Sequence, residues 1–402
     1  MKVMSRCDLP GARNKLNTQE ILEELQRKNI RWEMGTDPRR GFSSHLIRCR
    51  NFEGIQCFFV GSELSLETKL NSVVDALYIL QNDDENRTSF EFGLMYGGYP
   101  GQELLMQILS NLNQLFGDNV ELQIFIDFEN VTLPAPSNFE SSAQSLETKL
   151  ALIDNNRTRP PIIDELLKIF DDRALQWSPT SLNENWIGRI DGLQFCTIRD
   201  NGEATLFLDE NPRAKRIMLE HLAQSGFDID SNNHTLEVND LKMLITILRE
   251  AEATSRLQEC VSPQRVRSRI MSKKAKLIAG EAICEDLPCL WSNDPAYETT
   301  ADLIFSDADR AYAVHFEIST GGRIENNFRY GILKAALNAQ FIRSAQAIHP
   351  WLESQGITPE SCQPVLAFPK LTSARARSRF PQLTALAEVF GVNIVQVRGS
   401  SL

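Results

Sequence analysis

Hydrophobic positions along the chain follow two periods, and the switches between them outline three regions. After Asn17 and Thr18, Ile21, Leu22 and Leu25 recur at helical spacing and predict a helix over 18–28, with further helices beginning at Ser65 and Gly101. Between them, 45–49, 55–60, 90–96 and 120–128 are rich in branched and aromatic residues and predict strands. Residues 131–144 hold two prolines and several serines, the composition of a linker. The middle, 147–253, predicts a helix over 162–170, two strands within 186–198, one over 204–208, and helices over 212–225 and 238–250. From Ser255 the pattern predicts a long basic helix to about residue 285, strands over 288–291, 299–306 and 311–319, and a helix over 326–347. A strand over 363–369, a helix over 381–390 and a strand over 392–398 follow.

The expected fold class is therefore mixed α/β. It divides into an N-terminal α/β domain over 1–130, a linker over 131–146, a middle α+β region over 147–254 and a C-terminal α-β-β-β-α-β-α-β domain over 255–402. The segment Ser65-Leu-Glu-Thr-Lys-Leu70 recurs at Ser145 to Leu150, but the residues after each copy differ. It reads as a reused helix start, with serine capping the helix and an early glutamate favoured by the helix dipole, rather than as a repeat architecture.

Composition narrows the class without changing the picture. At 42% hydrophobic and 24% charged residues the chain is an ordinary globular protein. Its first residues contain no apolar signal core, and the run 55–60 is far short of the roughly 18 residues that span a bilayer. No membrane partner is expected. The eight cysteines show no CxxC spacing and sit mostly in apolar stretches, which points to a reducing, cytoplasmic setting. The five histidines form no pair at helix-face spacing, which excludes a classical zinc motif.

Charge adds more. The whole chain carries −11, yet residues 255–402 hold 17 Lys+Arg against 14 Asp+Glu, a net of +3, leaving 25 against 39, or −14, for residues 1–254. The C-terminal cations cluster in two runs: Arg265, Arg267 and Arg269, followed by Lys273, Lys274 and Lys276; and Arg375, Arg377 and Arg379. Such runs are the footprint of a phosphate-binding surface, or equally of solvated helix faces. On the first reading the partner is DNA, with the acidic half left for a protein partner or a second copy of the chain.

Hydrolysis of a phosphodiester at a metal site needs two or three carboxylates held together on rigid elements. The C-terminal region supplies Asp302 at the head of an apolar run, Glu317 late in the next strand, and Glu281 near the end of the preceding helix. Strand alternation places His315, Glu317 and Ser319 on one face, with Val314, Phe316 and Ile318 on the other. This order of elements and these residues resemble the PD-(D/E)XK nuclease superfamily, the restriction-endonuclease-like fold. In that resemblance Ala301-Asp302 stands for the Pro-Asp element, Glu317-Ile-Ser319 for Glu-x-Lys, and Glu281 for the helical acid. It implies Mg²⁺ or Mn²⁺ held by Asp302, Glu317 and Glu281, and a DNA endonuclease of restriction or genome defence. Ser319 departs from the family lysine and cannot stabilise developing negative charge as an ammonium does. Lys334, on the following helix, is the residue that could take over that role. A catalytically silent nucleic-acid-binding or scaffold protein is the alternative that Ser319 favours.

A second acidic stretch, Ile124-Phe-Ile-Asp127-Phe-Glu129-Asn130, resembles the first motif of NYN-type ribonucleases. No further carboxylate motif of that family follows it, so Asp127 and Glu129 are expected to end a core strand.

Overall fold

The computed structural model describes residues 17–34, 46–52, 54–83, 89–98, 102–116, 118–139, 144–154, 157–170, 175–180, 185–208, 211–227, 235–252, 263–271, 277, 280–294, 298–307, 310–317, 324–368 and 374–397. The protein is mixed α/β, with three sheets in two compact units: Met1–Ser137 with Pro381–Phe390, and Asn138–Phe380 with Gly391–Leu402.

The first unit runs α1 (Thr18–Arg27), β1 (Trp32–Met34), β2 (Ile47–Phe52), β3 (Ile55–Val60), α2 (Leu66–Asp83), β4 (Phe90–Tyr96), α3 (Gln102–Asn113), β5 (Val120–Ile126) and β6 (Glu129–Asn130). Asn17 caps α1 in a capping box with Glu20, while Ile21 and Leu25 are buried. Its sheet has the order β1-β2-β3-β4-β5-β6; β1 to β3 pair antiparallel, and β3-β4-β5 pair parallel across the helices α2 and α3. The parallel strands read as near-continuous apolar runs because both of their faces are covered, which is why they were legible as core. The linker stretch is strapped down rather than loose: the Ser110 hydroxyl donates to the Pro134 carbonyl at 2.7 Å, and Asn111 binds Ser137 through both its amide oxygen and nitrogen. Four strands, β1 and β6 here and β7 and β11 below, have no counterpart in the sequence pattern because they are two to five residues long and lack a clear alternation.

In the second unit a short α4 (Glu147–Leu152) and α5 (Pro161–Ile169) lead into β7 (Leu175–Pro179), β8 (Asn185–Ile190), β9 (Leu193–Arg199), β10 (Ala204–Leu206), α6 (Pro212–Gln224), β11 (Thr235–Leu236) and α7 (Val238–Glu252). These strands form an antiparallel sheet in the order β11-β10-β9-β8-β7, and α5, α6 and α7 bury Ile163, Leu166, Ile217, Leu222, Leu244 and Leu248 in one core with it. Then come α8 (Pro263–Met271), β12 (Glu281–Leu290), β13 (Glu298–Ser306), β14 (Ala311–Phe316), α9 (Ile324–Ser344), α10 (His349–Ser354), β15 (Gln363–Phe368), α11 (Ala374–Val389), which belongs to the first unit from Pro381 on, and β16 (Asn393–Gln396). The sheet order is β12-β13-β14-β15-β16, antiparallel through β14 and parallel from β14 to β16. One apolar cluster joins Ile304, Ala311 and Ala313 to Ala339, Phe341 and Ile342 of α9; another joins Leu303, Val314, Phe316 and Val365 to Val266 and Ile270 of α8.

Two expected boundaries are corrected. The basic helix ends at Met271 instead of continuing to about 285, and 281–290 is a ten-residue strand, since Cys284, Leu287, Cys289 and Leu290 are buried against the sheet. The last helix begins at Ala374, with Pro381 inside it rather than at its start. The predicted order α-β-β-β-α-β-α-β is otherwise observed.

The first and third sheets share one topology over five strands: helix, three antiparallel strands, helix, parallel strand, helix, parallel strand, in the same sheet order, with β6 added at the edge of the first. No sequence repeat marks it. The duplicated hexapeptide does not coincide with it, since the first copy opens α2 with the Ser65 hydroxyl accepting from the Thr68 amide, whereas the second spans a 3-10 turn and α4, whose N-cap Leu146 makes no side-chain bond.

Candidate functional site

Strands β13 and β14 pair antiparallel with Leu303 opposite Val314, which sets Asp302 opposite His315 one step further on. Directly opposed residues share a face, and Glu317, two residues after His315, shares it too. The side chains meet there. The His315 Nδ1 lies 2.7 Å from Asp302 Oδ2, and its Nε2 lies 3.1 Å from Glu317 Oε1. Asp302 Oδ2 also accepts from the Phe316 amide at 2.7 Å. The imidazole is only 7% exposed, while the two carboxylates retain 15% and 14%. The expected pair of acids thus flanks one ring, and His315, which strand alternation placed on the same face as Glu317, is the centre of the group.

A third acid was not anticipated. Asp286 lies between the register pairs Glu285–Leu303 and Leu287–Ala301, at the level of Asp302 on the neighbouring strand, with a positive φ of 52°. Two carboxylates facing each other repel. Arg267 of α8 answers this charge: its guanidinium pairs with Asp286, donates to the Asp302 carbonyl at 3.2 Å and lies 3.7 Å from Asp302 Oδ1. No sequence spacing could link Arg267 to Asp286 and Asp302, which meet only in the folded sheet.

The electrostatics follow from these contacts. Burial alone would push the Asp302 carboxyl up, but the His315 charge, Arg267 and the Phe316 amide together hold it well below its ordinary range. Burial likewise works against a charged His315, yet Asp302 and the bond to Glu317 raise its pKa, with the Lys334 ammonium pulling the other way. Arg267 is held firmly charged, since Asp286, Asp302 and Glu285 outweigh its desolvation.

Helix α9 closes over this group at Gly331. A Cβ there would lie 2.7 Å from Glu317 Cγ and from Leu366 Cδ1, so the helix reaches the acids only because this position has no side chain.

The remaining expected residues are distributed as follows. Glu281 is exposed at the start of β12, opposite Ser306, four residues along β13 from Asp302; it is not on a helix and does not join the group, a correction that follows from the strand starting ten residues after α8 ends. Lys334 sits on α9 with its ammonium 5.3 Å from the Tyr330 ring centre, and no ion pair to Glu317 accompanies its influence on His315. Ser319, Lys273 and Lys274 lie outside the described residues. Arg375, Arg377 and Arg379 fall on α11. Arg265 and Arg267, expected on a phosphate-facing surface, are instead 2% and 5% exposed, and Arg269 is directed to Asp191 at 3.5 Å. The run is internal because α8 packs between the middle sheet and β12, where each guanidinium finds a carboxylate. Asp127 lies in the β5–β6 turn with φ 49°, and its Oδ1 accepts the Gly98 amide at 2.9 Å, tying that turn to the end of β4.

Among the described residues, no group of three or more His, Cys, Asp or Glu side chains is placed to hold a metal ion, and no helix is long and apolar enough to cross a membrane. Compared with known protein families and with curated proteins, the chain matches none.

Proposed function

We propose that the C-terminal sheet carries a metal-dependent phosphodiester hydrolase site acting on DNA, an endonuclease of the restriction-endonuclease-like class with genome defence as its setting. The observation that carries this reading is the convergence of Asp302 and Glu317, from adjacent antiparallel strands, on the two nitrogens of one imidazole. The donor set suits Mg²⁺ or Mn²⁺: such an ion is held by one or two carboxylates, with water and substrate phosphate completing its shell. Asp302 and Glu317 raise the proton affinity of the His315 ring between them, which supports a site that favours positive charge. Asp302 and Glu317 would hold the ion, which when bound supplies a Lewis acid and lowers the pKa of a water.

The chain's own groups prepare that chemistry. Arg267 places its guanidinium against both Asp286 and Asp302 where the two acids lie side by side. The Phe316 amide fixes the Asp302 carboxylate, and Gly331 admits α9 close to Glu317. Glu317 lies 3.1 Å from His315 Nε2 and so holds the ring in its orientation.

Supercoiled plasmid incubated with the full chain should be nicked or linearised with Mg²⁺ or Mn²⁺ and left intact with EDTA. Asp302→Asn and Glu317→Gln should each slow cleavage by about 100-fold or more. If neither ion supports cleavage of DNA or RNA, the hydrolase reading falls. The silent, nucleic-acid-binding or scaffold protein then takes its place, a reading that Ser319 at the lysine position and the inward-facing Arg265 and Arg267 favour.

A further inference from the structure

Helix α8 carries three arginines on nine residues and turns them in two directions. Arg265 and Arg269 reach Asp191, at the tip of the β8–β9 hairpin in the middle sheet, at 3.0 and 3.5 Å. Arg267, between them in sequence, reaches the other way to Asp286 and Asp302. The hairpin contact is close: Gly192 has φ +83°, and a Cβ there would lie 2.6 Å from the Arg265 Cα. Two further bonds bind the middle sheet to the same place. Gln176 of β7 donates to the Ser268 carbonyl at 2.6 Å, and Arg189 of β8 pairs at 3.1 Å with Glu285, the neighbour of Asp286.

We propose that Arg267 is a positioning residue for Asp302, and that the middle sheet sets it in place through the Asp191–Arg265 pair, so that the acid site is complete only with the middle region docked. The inference rests on the reading of Asp302 as a working acid. A nine-residue helix has little stability of its own, so the register of α8 is decided by what grips it. The grip on either side of Arg267 comes from Asp191. Arginine suits the position because its planar fork can serve the Asp302 carbonyl and the two carboxylates together, which a lysine ammonium does less well.

The test uses the full chain without metal or nucleic acid and reads the His315 imidazole nitrogen signals by NMR at one pH. Arg267→Met and Asp191→Asn should move these signals in the same direction, with Arg267→Lys intermediate. Cleavage should fall about tenfold or more in Arg267→Met and several-fold in Asp191→Asn, a range typical of coupling through packed elements. Unmoved His315 signals in folded Asp191→Asn and Arg267→Lys overturn the proposal, whatever the cleavage result. Should Arg267→Met not fold, those two variants carry the comparison. Signals that move in the variants while the wild-type chain does not cleave would instead remove the hydrolase reading and leave the positioning intact.

Discussion

His315 sits between two acids that favour its charged form. Its pKa is raised above the ordinary 6.5, so its contribution to stability is fully present below that value and is lost as pH rises through the raised one. Asp302, lowered from 3.8, contributes above that value and loses its contribution as pH falls toward the lowered one. The two groups therefore support the fold most between about pH 4 and pH 6.5. His315→Gln keeps polar atoms but cannot charge; urea unfolding should show it about 1.5–3 kcal/mol less stable than wild type near pH 5. The gap should shrink near pH 9, and a gap that stays constant across this range would mean that the imidazole is neutral. Single residues of this kind were only half legible. Asp302 and Glu317 could be picked out because strand alternation is local, whereas the role of His315 and the very presence of Asp286 depended on which residues the ladder set opposite one another.

At the scale of elements, Gly331 shows how packing overrides propensity. Alanine is the better helix former by about 1 kcal/mol, and on an isolated helix Gly331→Ala would stabilise. Here the new Cβ meets Glu317 Cγ and the buried Leu366 Cδ1 at 2.7 Å, and overpacking of this sort costs about 1–3 kcal/mol. Thermal unfolding of Gly331→Ala should therefore show no gain or a loss, and the displaced Glu317 should lower cleavage; a clear rise in Tm would mean that α9 sits further from the acids. Helices such as α1 and α7, and apolar strands such as β3, β4 and β15, were visible in the periodicity because each buries a regular face. The boundary between α8 and β12 was not, since the charges that made 263–285 look like one exposed helix belong partly to buried ion pairs.

For the whole molecule, the charge asymmetry keeps its meaning only in part. Arg265 and Arg267 are spent inside the fold, which leaves the run Arg375, Arg377 and Arg379 as the cluster to test for phosphate binding. Replacing those three by alanine in the full chain should reduce the slope of log K against log salt for duplex DNA by about 2–3, at roughly 0.9 per phosphate contact. Fluorescence anisotropy at two salt concentrations reads this directly, and an unchanged slope would remove the charge case for a nucleic-acid partner. The same change in α8 should act differently, through stability, because cutting one partner from a buried ion pair costs about 3–5 kcal/mol.

By itself the chain determined its α/β class, the order of elements after Ser255 and the two acids on neighbouring strands, because each is written in local periods of 2.0 and 3.6 residues. Only the tertiary structure decided that β12 begins at Glu281, that Glu281 stands apart while Asp286 comes in, and that the arginines of α8 face inward. It alone revealed that the first and third sheets share a topology with no shared sequence. Those outcomes turn on contacts between residues far apart in the chain, where strand register and the need of each buried charge for a partner choose among patterns that look alike one residue at a time.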